Sequence, residues 1–294
     1  MTFLASLSQP RQLILDGATG TELNRRGVDT GLPLWSANAL MNERDTKILQ
    51  QIHKDYLYSG ADIITTNTFR THRRALAPSG NADRALELTR RAVDIARGAI
   101  AIVKSDSPKF IAGSMSTLED CYRPDLVPPD KELRTEHSER IYHLIECDVD
   151  LILIETINTI REAVIMAKLA VIAGTPVVVS FVCDREGKIL SGETLTKAAN
   201  QLLPLGIAAI GVNCGPAPNL AKPLAELSAV CGKDFPLIAY GNIGYADEKV
   251  GWVNTDSENP KAYCEHAIHW PVKIVGGCCG TTPEHIAELK LALK

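Results

Sequence analysis

The stretch Lys273-Ile274-Val275-Gly276-Gly277-Cys278-Cys279-Gly280-Thr281-Thr282-Pro283 joins a predicted strand to a predicted helix. Its β-branched run ends in two glycines and two adjacent cysteines, and Thr282 and Pro283 suit the N-cap and first position of a helix. Neighbouring side chains on a regular strand point to opposite faces, so both thiols converge only where the chain turns, which the flanking glycines permit. We therefore predict that Cys278 and Cys279 bind one metal ion, with the rest of the chain forming a barrel around it.

The overall composition indicates an ordinary soluble protein, with 45% hydrophobic and 22% charged residues in a chain of 294. The net charge of -4 and the lack of basic clusters argue against a nucleic-acid partner. No apolar run is long enough to span a membrane, and Met1–Pro10 has only a short apolar patch and no basic region of a signal peptide. The 8 cysteines are scattered, unlike a secreted disulfide framework, so we expect a cytoplasmic monomer or weak homo-oligomer.

Apolar runs alternate with stretches of helical spacing along the whole chain. The predicted strands are Leu13–Leu15, Asp62–Asn67, Lys109–Ser114, Leu151–Thr156, Pro176–Val182, Ala208–Cys214, Pro236–Asn242 and Lys273–Gly277. The predicted helices are Asn42–Ser59, Ala82–Val103, Lys131–Cys147, Ile160–Ala173, Thr194–Leu203, Asn219–Val230, Pro260–His269 and Pro283–Leu293. The strands are continuously apolar, as parallel strands covered on both faces are. This order predicts an α/β fold, a (β/α)8 TIM barrel formed by residues 1–294 as one domain, with a doubly wound open sheet as the competing interpretation.

Polar residues follow the predicted strands at their carboxyl ends. They are Asp16-Gly17, Thr66-Asn67-Thr68, Ser114, Glu155-Thr156, Asp184, Asn213-Cys214, Asn242 and Cys278-Cys279. Barrel active sites lie at this rim, so the fold brings Cys214 to the same mouth as Cys278 and Cys279. The connections Thr19–Asn42, Met115–Asp130 and Tyr245–Glu258 are long, and we expect them to shape the site.

Three cysteine thiolates at one rim indicate a catalytic Zn²⁺ site with an open fourth position. Such a site carries a formal charge of about -1, so it is better suited to holding another sulfur as a thiolate than to making hydroxide. The alternative for Cys214 alone is a small core hydrophobe, the interpretation we give to Cys121, Cys147, Cys183, Cys231 and Cys264. The adjacent pair Cys278-Cys279 has a redox disulfide as its alternative, although no relay residues lie nearby in the sequence.

Two acidic positions are candidates for substrate contacts. Glu155 ends the apolar run Leu151–Ile154, where a carboxylate is costly to bury without a cationic partner such as a substrate ammonium. A salt-bridged core carboxylate is the other interpretation. The Asp16–Thr21 loop has a phosphate-binding alternative, but it lacks the following lysine and the usual glycine spacing.

These motifs resemble the homocysteine S-methyltransferase family, which includes S-methylmethionine- and S-adenosylmethionine-dependent enzymes, betaine–homocysteine methyltransferase and the homocysteine module of cobalamin-dependent methionine synthase. The motifs that carry the resemblance are Asp16-Gly17-Ala18-Thr19-Gly20-Thr21-Glu22-Leu23, Thr66-Asn67-Thr68-Phe69, Glu155-Thr156, Gly211-Val212-Asn213-Cys214 and Gly276-Gly277-Cys278-Cys279-Gly280-Thr281-Thr282-Pro283. They occur in order over nearly the whole chain.

The resemblance implies a zinc enzyme that uses homocysteine and a small methyl donor. Its zinc would be held by Cys214, Cys278 and Cys279, with the homocysteine sulfur as fourth ligand. The amino acid group of homocysteine would contact Glu155 and the Asp16-Gly17 loop. Thr66, Asn67 and Asn242 complete the expected substrate contacts.

The identity of the methyl donor is where the chain departs from the family pattern. Many members carry Gly-Ser-x-Gly-Pro where this chain has Gly113-Ser114-Met115-Ser116-Thr117, and Pro-Asn-x-Gly where it has Gly241-Asn242-Ile243-Gly244. The sequence ends after the eighth helix without folate or cobalamin domains, which favours a free sulfonium such as S-methylmethionine or S-adenosylmethionine. Two alternatives are a homocysteine–zinc subunit that accepts methyl from a separate corrinoid protein, and a zinc-dependent redox sensor.

Overall fold

Parallel strands form the central sheet of the computed structural model, which describes residues 1–247 and 251–293. The strands in the described residues are β1 Leu13–Ile14, β2 Ile63–Thr65, β3 Phe110–Met115, β4 Leu151–Ile157, β5 Val177–Phe181, β6 Ala209–Pro216, β7 Leu237–Asn242, β8 Gly244–Asp247, β9 Gly251–Asn254 and β10 Ile274–Gly277. The eight-stranded sheet has the order β1-β10-β7-β6-β5-β4-β3-β2. A parallel bridge between Leu15 and Ile63 joins its two edges. The sheet therefore closes into the predicted (β/α)8 TIM barrel, and the open-sheet alternative is wrong.

Helices surround the barrel, and the eight predicted helices lie within a few residues of their predicted positions. Those in the described residues are α1 Phe3–Leu7, α2 Gly20–Arg25, α3 Glu43–Ser59, α4 Arg73–Leu76, α5 Ala85–Val103, α6 Asp130–Glu146, α7 Ile160–Ile172, α8 Leu195–Leu202, α9 Ala221–Cys231, α10 Pro260–Ala267 and α11 Pro283–Ala292. The predicted N-cap at Thr282 is confirmed, since Thr282 directly precedes Pro283 at the start of α11. Asn42 caps α3 by accepting the Asp45 N–H at 3.0 Å. None of the helices described here has the length and apolar character needed to cross a membrane.

Two apolar layers hold the fold together. The outer layer lies between strands and helices, and the inner layer fills the barrel with alternate strand residues such as Leu151 and Leu153 of β4. Helix α1, which the sequence analysis did not predict, closes the N-terminal end of the barrel, where Phe3 meets Phe110 edge-to-face at 5.7 Å. The opposite end, where the strands finish, stays open for a site.

The long connections contain more structure than expected. The β1–α3 connection holds α2 and a 3₁₀ helix at Trp35–Leu40. The Tyr245–Glu258 segment, predicted as an irregular loop, instead contributes to the β8–β9 hairpin, with residues 248–250 outside the described part. Its strands are only four residues each, and an isolated short hairpin gives little periodicity signal in a sequence.

Tyr263 of α10 links the helical layer to two strands at the rim. Its hydroxyl accepts the Gly241 N–H at 3.0 Å and donates to the Gly276 carbonyl oxygen at 2.6 Å. The side chain is completely buried. It therefore fixes the ends of β7 and β10, which lead into Asn242 and Cys278.

Replacing Tyr263 by Phe should lower the free energy of unfolding by about 1–3 kcal/mol, because a buried N–H and a buried carbonyl would lose their partner. Denaturant-induced unfolding measures the change. Tyr142→Phe is the matched control, since Tyr142 is 63% exposed on α6. Equal stability of the two variants would contradict the structural role of the Tyr263 hydroxyl.

Candidate active site

Three cysteine sulfurs meet at the carboxyl end of the barrel. The Sγ atoms of Cys214, Cys278 and Cys279 lie within 4.8 Å of one another, and the Cys214 and Cys279 sulfurs are 3.8 Å apart. Cys214 is buried and the other two are half-buried. The predicted convergence of these side chains is confirmed. Within residues 1–247 and 251–293, this is the group of cysteine, histidine and acidic side chains whose geometry suits a metal ion.

The backbone changes direction at each cysteine so that the sulfurs converge. Cys278 follows Ile274 and Gly276 on the inward face of β10, and Gly280 turns the chain with φ of 85°. Cys214 has φ of 58°, in a register shift between Asn213 and Pro216. A left-handed conformation of a non-glycine residue costs of order 1–2 kcal/mol, and this strain directs the Cys214 side chain to the shared centre.

Asn213 connects this turn to a similar one on β4. Its Oδ1 accepts the Thr156 N–H at 3.0 Å, and its Nδ2 donates to Thr156 Oγ1 at 2.8 Å. Thr156 also has a positive φ, of 57°, where β4 shifts register. Each strained turn thus supports the other through one buried amide.

Asn242 joins the two segments that carry the cysteines. Its Nδ2 donates to the Cys214 carbonyl oxygen at 2.9 Å, and its Oδ1 accepts the Cys279 N–H at 2.9 Å. The side chain is buried and is not among the residues that line the cavity. Asn242, predicted to contact substrate, therefore lies behind the cysteines, and both of its side-chain polar atoms bind the backbone of Cys214 and Cys279.

The three thiols influence one another strongly. Hydrogen bonds from Cys278 and Cys279 lower the pKa of Cys214 well below its ordinary value. The hydrogen bond to Cys214 in turn raises the pKa of both Cys278 and Cys279. A thiolate at Cys214 therefore opposes the ionisation of the other two thiols. The donor set fits a divalent metal ion, whose charge would permit all three to ionise.

Glu155 enters the barrel because strand alternation places it on the same face as Leu151 and Leu153. Its Oε1 accepts a short hydrogen bond from the Ser114 hydroxyl, and its Oε2 accepts one from Tyr240 at 3.0 Å. Burial raises its pKa to about 7, against these two stabilising bonds. Within the described residues the carboxylate has no cationic partner, and it lines the cavity. It is therefore not a salt-bridged core residue.

Asp16 is a second buried carboxylic acid in the same cavity. Its Oδ2 accepts the Thr65 N–H and its Oδ1 the Thr65 hydroxyl, both at 2.8 Å. Burial, with a smaller contribution from the charge of Glu155, raises its pKa to about 8 against the hydrogen bonds from Thr65. The next residue is Gly17, and a side chain does not fit there, because an added Cβ would lie 2.7 Å from Tyr56 Cε1. The loop is shaped by this packing, and no phosphate-binding geometry is needed to explain its glycine.

These residues line a cavity of about 410 Å³. Thr66 and Asn67 border it, with the Asn67 amide donating to the Ser36 carbonyl oxygen at 2.8 Å. The outer part is aromatic, because Trp35 and Phe69 meet edge-to-face at 5.6 Å. The volume is in the range of sites for small molecules.

Tyr122 completes the cavity from the β3–α6 connection and was not predicted from the sequence. Its hydroxyl lies 3.1 Å from Cys214 Sγ, although 52% of the residue is exposed. The ring thus faces solvent while its polar end reaches the thiols. Tyr240 was also missed, because a tyrosine within an apolar strand looks like an ordinary core residue.

A buried polar network holds the β3–α6 connection in place. Glu162 Oε1 accepts the Leu118 N–H at 3.0 Å and lies 2.9 Å from His137 Nε2. Arg140 donates to the Ser116 carbonyl oxygen at 2.6 Å and to its hydroxyl at 3.2 Å. The segment leading to Tyr122 is therefore fixed before any ligand binds.

Comparison with known proteins places this geometry in a family. A family model described as homocysteine S-methyltransferase matches residues 13–293. Homocysteine S-methyltransferase YbgG of Bacillus subtilis is 32% identical over 298 residues, covering 94% of this chain and 93% of that protein. Methionine synthase of Mycobacterium leprae is 29% identical over 304 residues, covering 99% of this chain and 25% of that protein. The chain thus spans about a quarter of the methionine synthase.

A solved structure agrees with both the fold and the family. The metallated form of the homocysteine methyltransferase MmuM from Escherichia coli matches with a TM-score of 0.84 and 26% identity, covering 98% of each chain. The family model spans nearly the whole chain, and the three cysteines of the resembling motifs converge as expected. The chain belongs to the homocysteine S-methyltransferase family.

Proposed function

We propose that the protein transfers a methyl group from a small sulfonium donor to the sulfur of homocysteine and so forms methionine. The observation that carries this proposal is the convergence of three cysteine sulfurs in a cavity that also holds an unpaired carboxylate. Homocysteine presents a thiol and an ammonium, which match these two features. The family membership supports the same reaction.

We infer that Cys214, Cys278 and Cys279 hold a Zn²⁺ ion. Trithiolate zinc leaves one position open and supports thiolate chemistry, so when bound it would keep the homocysteine sulfur ionised near neutral pH. Asn242 orients the cysteine backbones through its two hydrogen bonds and acts as a positioning residue. Tyr122 covers the thiols from the solvent side.

Glu155 and Asp16 receive the amino acid group of homocysteine in this proposal. Glu155 has hydrogen bonds to Ser114 and Tyr240, and acceptor capacity remains for a substrate ammonium. Both carboxyls have raised pKa values, because burial opposes their charged forms. An arriving ammonium favours the ionised form, so the cavity is prepared for a cation.

The aromatic mouth supports a sulfonium as the donor. Trp35, Phe69 and Tyr122 line the outer cavity, and the faces of such rings attract cations. The cavity also contains several anionic groups, which favour a cationic donor. A second candidate, methyl transfer from a separate corrinoid protein, is favoured only by the match to a quarter of methionine synthase.

Serine at position 214, 278 or 279 should remove zinc binding and methyl transfer together, because serine is a poor ligand for this ion. Metal analysis after purification should find about one zinc per wild-type chain and much less in each variant. Cys231→Ser is the matched control, since Cys231 is a half-buried cysteine at the end of α9. Tight zinc retention in all three site variants would contradict the assignment.

Glu155→Gln should raise the KM for homocysteine about tenfold to a hundredfold while zinc stays bound, because a charged hydrogen bond to the ammonium is worth about 1.5–3 kcal/mol. Steady-state kinetics at saturating donor measure this change. Glu186→Gln provides an exposed acidic control on the β5–α8 connection. An unchanged homocysteine KM in Glu155→Gln would refute the proposed contact.

Glu155→Gln should also stabilise the metal-free protein at alkaline pH. The folded-state pKa of about 7 lies above the ordinary value of 4.5, so the ionised carboxyl destabilises the fold. This cost is absent below pH 4.5, grows up to pH 7 and is constant above it, at about 3 kcal/mol. Unfolding of both proteins at pH 4.5 and pH 8 measures it. A stability difference that does not change with pH would contradict the burial of a titrating Glu155.

A further inference from the structure

The outer cavity carries one positive side chain, Arg70, that the proposed reaction does not use. Arg70 follows Phe69 in the segment after β2, and it is the only basic residue among those that line the described cavity. Its guanidinium donates to the Pro33 carbonyl oxygen at 3.4 Å. Within residues 1–247 and 251–293 it forms no ion pair, unlike Arg73 and Arg74 nearby, which bind several carboxylates. Its donors are therefore available to an anion.

Asp120 supplies the opposite charge on the facing segment. One carboxylate oxygen accepts the Tyr122 N–H at 2.9 Å, and the Asp120 carbonyl oxygen accepts the Asn158 amide at 3.2 Å. The residue is exposed at the rim of the cavity, and its second carboxylate oxygen is left for a ligand. Within the described residues, Arg70 and Asp120 line the same cavity without pairing with each other, so both charges remain available to a zwitterionic ligand.

The position of this pair separates it from homocysteine. The cysteines and Glu155 lie at the strand ends and would fix the sulfur and ammonium of homocysteine at the floor of the cavity. Arg70 instead contacts Pro33, whose neighbour Leu32 is 77% exposed at the entrance. The aromatic rings of Trp35 and Phe69 lie in the same outer region. Arg70 and Asp120 are therefore placed to contact the second substrate, which would bind on the outer side of homocysteine.

We propose that Arg70 and Asp120 recognise the head group of the methyl donor, Arg70 through a carboxylate and Asp120 through an ammonium. The donor would then be a sulfonium that carries an α-amino acid group, with its sulfonium centre against the aromatic rings. This assignment rests on the proposed function. It makes Arg70 and Asp120 determinants of donor specificity that leave homocysteine binding unchanged.

Three sulfonium donors test the assignment with the zinc-loaded protein. S-methylmethionine carries both head-group charges, dimethylsulfoniopropionate carries only the carboxylate, and trimethylsulfonium carries neither. The KM for each donor is measured from methionine formation at saturating homocysteine. Where trimethylsulfonium reacts too slowly, its dissociation constant is measured by competition with S-methylmethionine. Arg185→Gln is the matched control, because Arg185 lies over the Tyr245 ring outside the lining of this cavity.

Arg70→Gln should raise the KM for both carboxylate donors about tenfold to a hundredfold and leave trimethylsulfonium unchanged. Arg70→Lys should restore part of the lost donor affinity, since lysine keeps the positive charge but cannot form the bidentate hydrogen bonds of arginine to a carboxylate. Asp120→Asn keeps an acceptor for the Tyr122 N–H, and it should raise the KM for S-methylmethionine alone, by about two- to fivefold at this exposed position.

Two results would overturn the assignment. The first is an equal effect of Arg70→Gln on the KM values of all three donors. The second is a raised homocysteine KM with unchanged donor KM values, which would mean that Arg70 binds homocysteine. In both cases the wild-type protein still forms methionine, so the proposed function stands. Failure of the wild-type protein to use any of the three donors or S-adenosylmethionine would instead overturn the proposed function, and this assignment with it.

Discussion

The carboxamide of Asn242 is the contact on which the arrangement of the site depends. It binds the carbonyl of Cys214 and the N–H of Cys279, so one buried side chain fixes two segments that are far apart in sequence. The strained backbone at Cys214 is held on its other side by the Asn213–Thr156 pair. Three thiols that would repel one another when ionised are thus kept together by neutral amides, which do not compete for a metal ion. Such supporting contacts commonly decide how well a metal site is formed.

The cavity contains many more acidic groups than basic ones. Three thiols and the carboxyls of Asp16 and Glu155 lie in one buried region, with Arg70 as the basic residue of the described lining. Burial opposes the ionisation of these acidic groups, as the raised pKa values of Asp16 and Glu155 show. The proposed metal ion, substrate ammonium and cationic donor would each offset part of this cost. Some stability of the fold is therefore given up for binding.

Much of the fold and part of the site could be predicted from the sequence. The eight apolar strands were recognisable because parallel strands are buried on both faces, and the cysteines were recognisable because they end two of those strands. Helix α1, the β8–β9 hairpin and Tyr122 were missed, since short elements and loop side chains leave no periodic signal. Asn242 was predicted as a substrate contact, because its position at a strand end indicates that it lies near the site. That position does not indicate which neighbouring group its side chain binds. The left-handed backbone conformation of Cys214 could not be predicted either, because cysteine has no preference for that conformation.

The most direct test of the account uses the purified, zinc-loaded chain with deuterium-labelled homocysteine and unlabelled S-methylmethionine. Mass spectrometry separates the deuterated methionine made from homocysteine from the unlabelled methionine left by the donor. We expect both to appear in equal amounts, without any second protein, and Cys214→Ser to form neither. Deuterated methionine that appears only after a methylated corrinoid protein is added, or that persists in Cys214→Ser, would contradict this expectation.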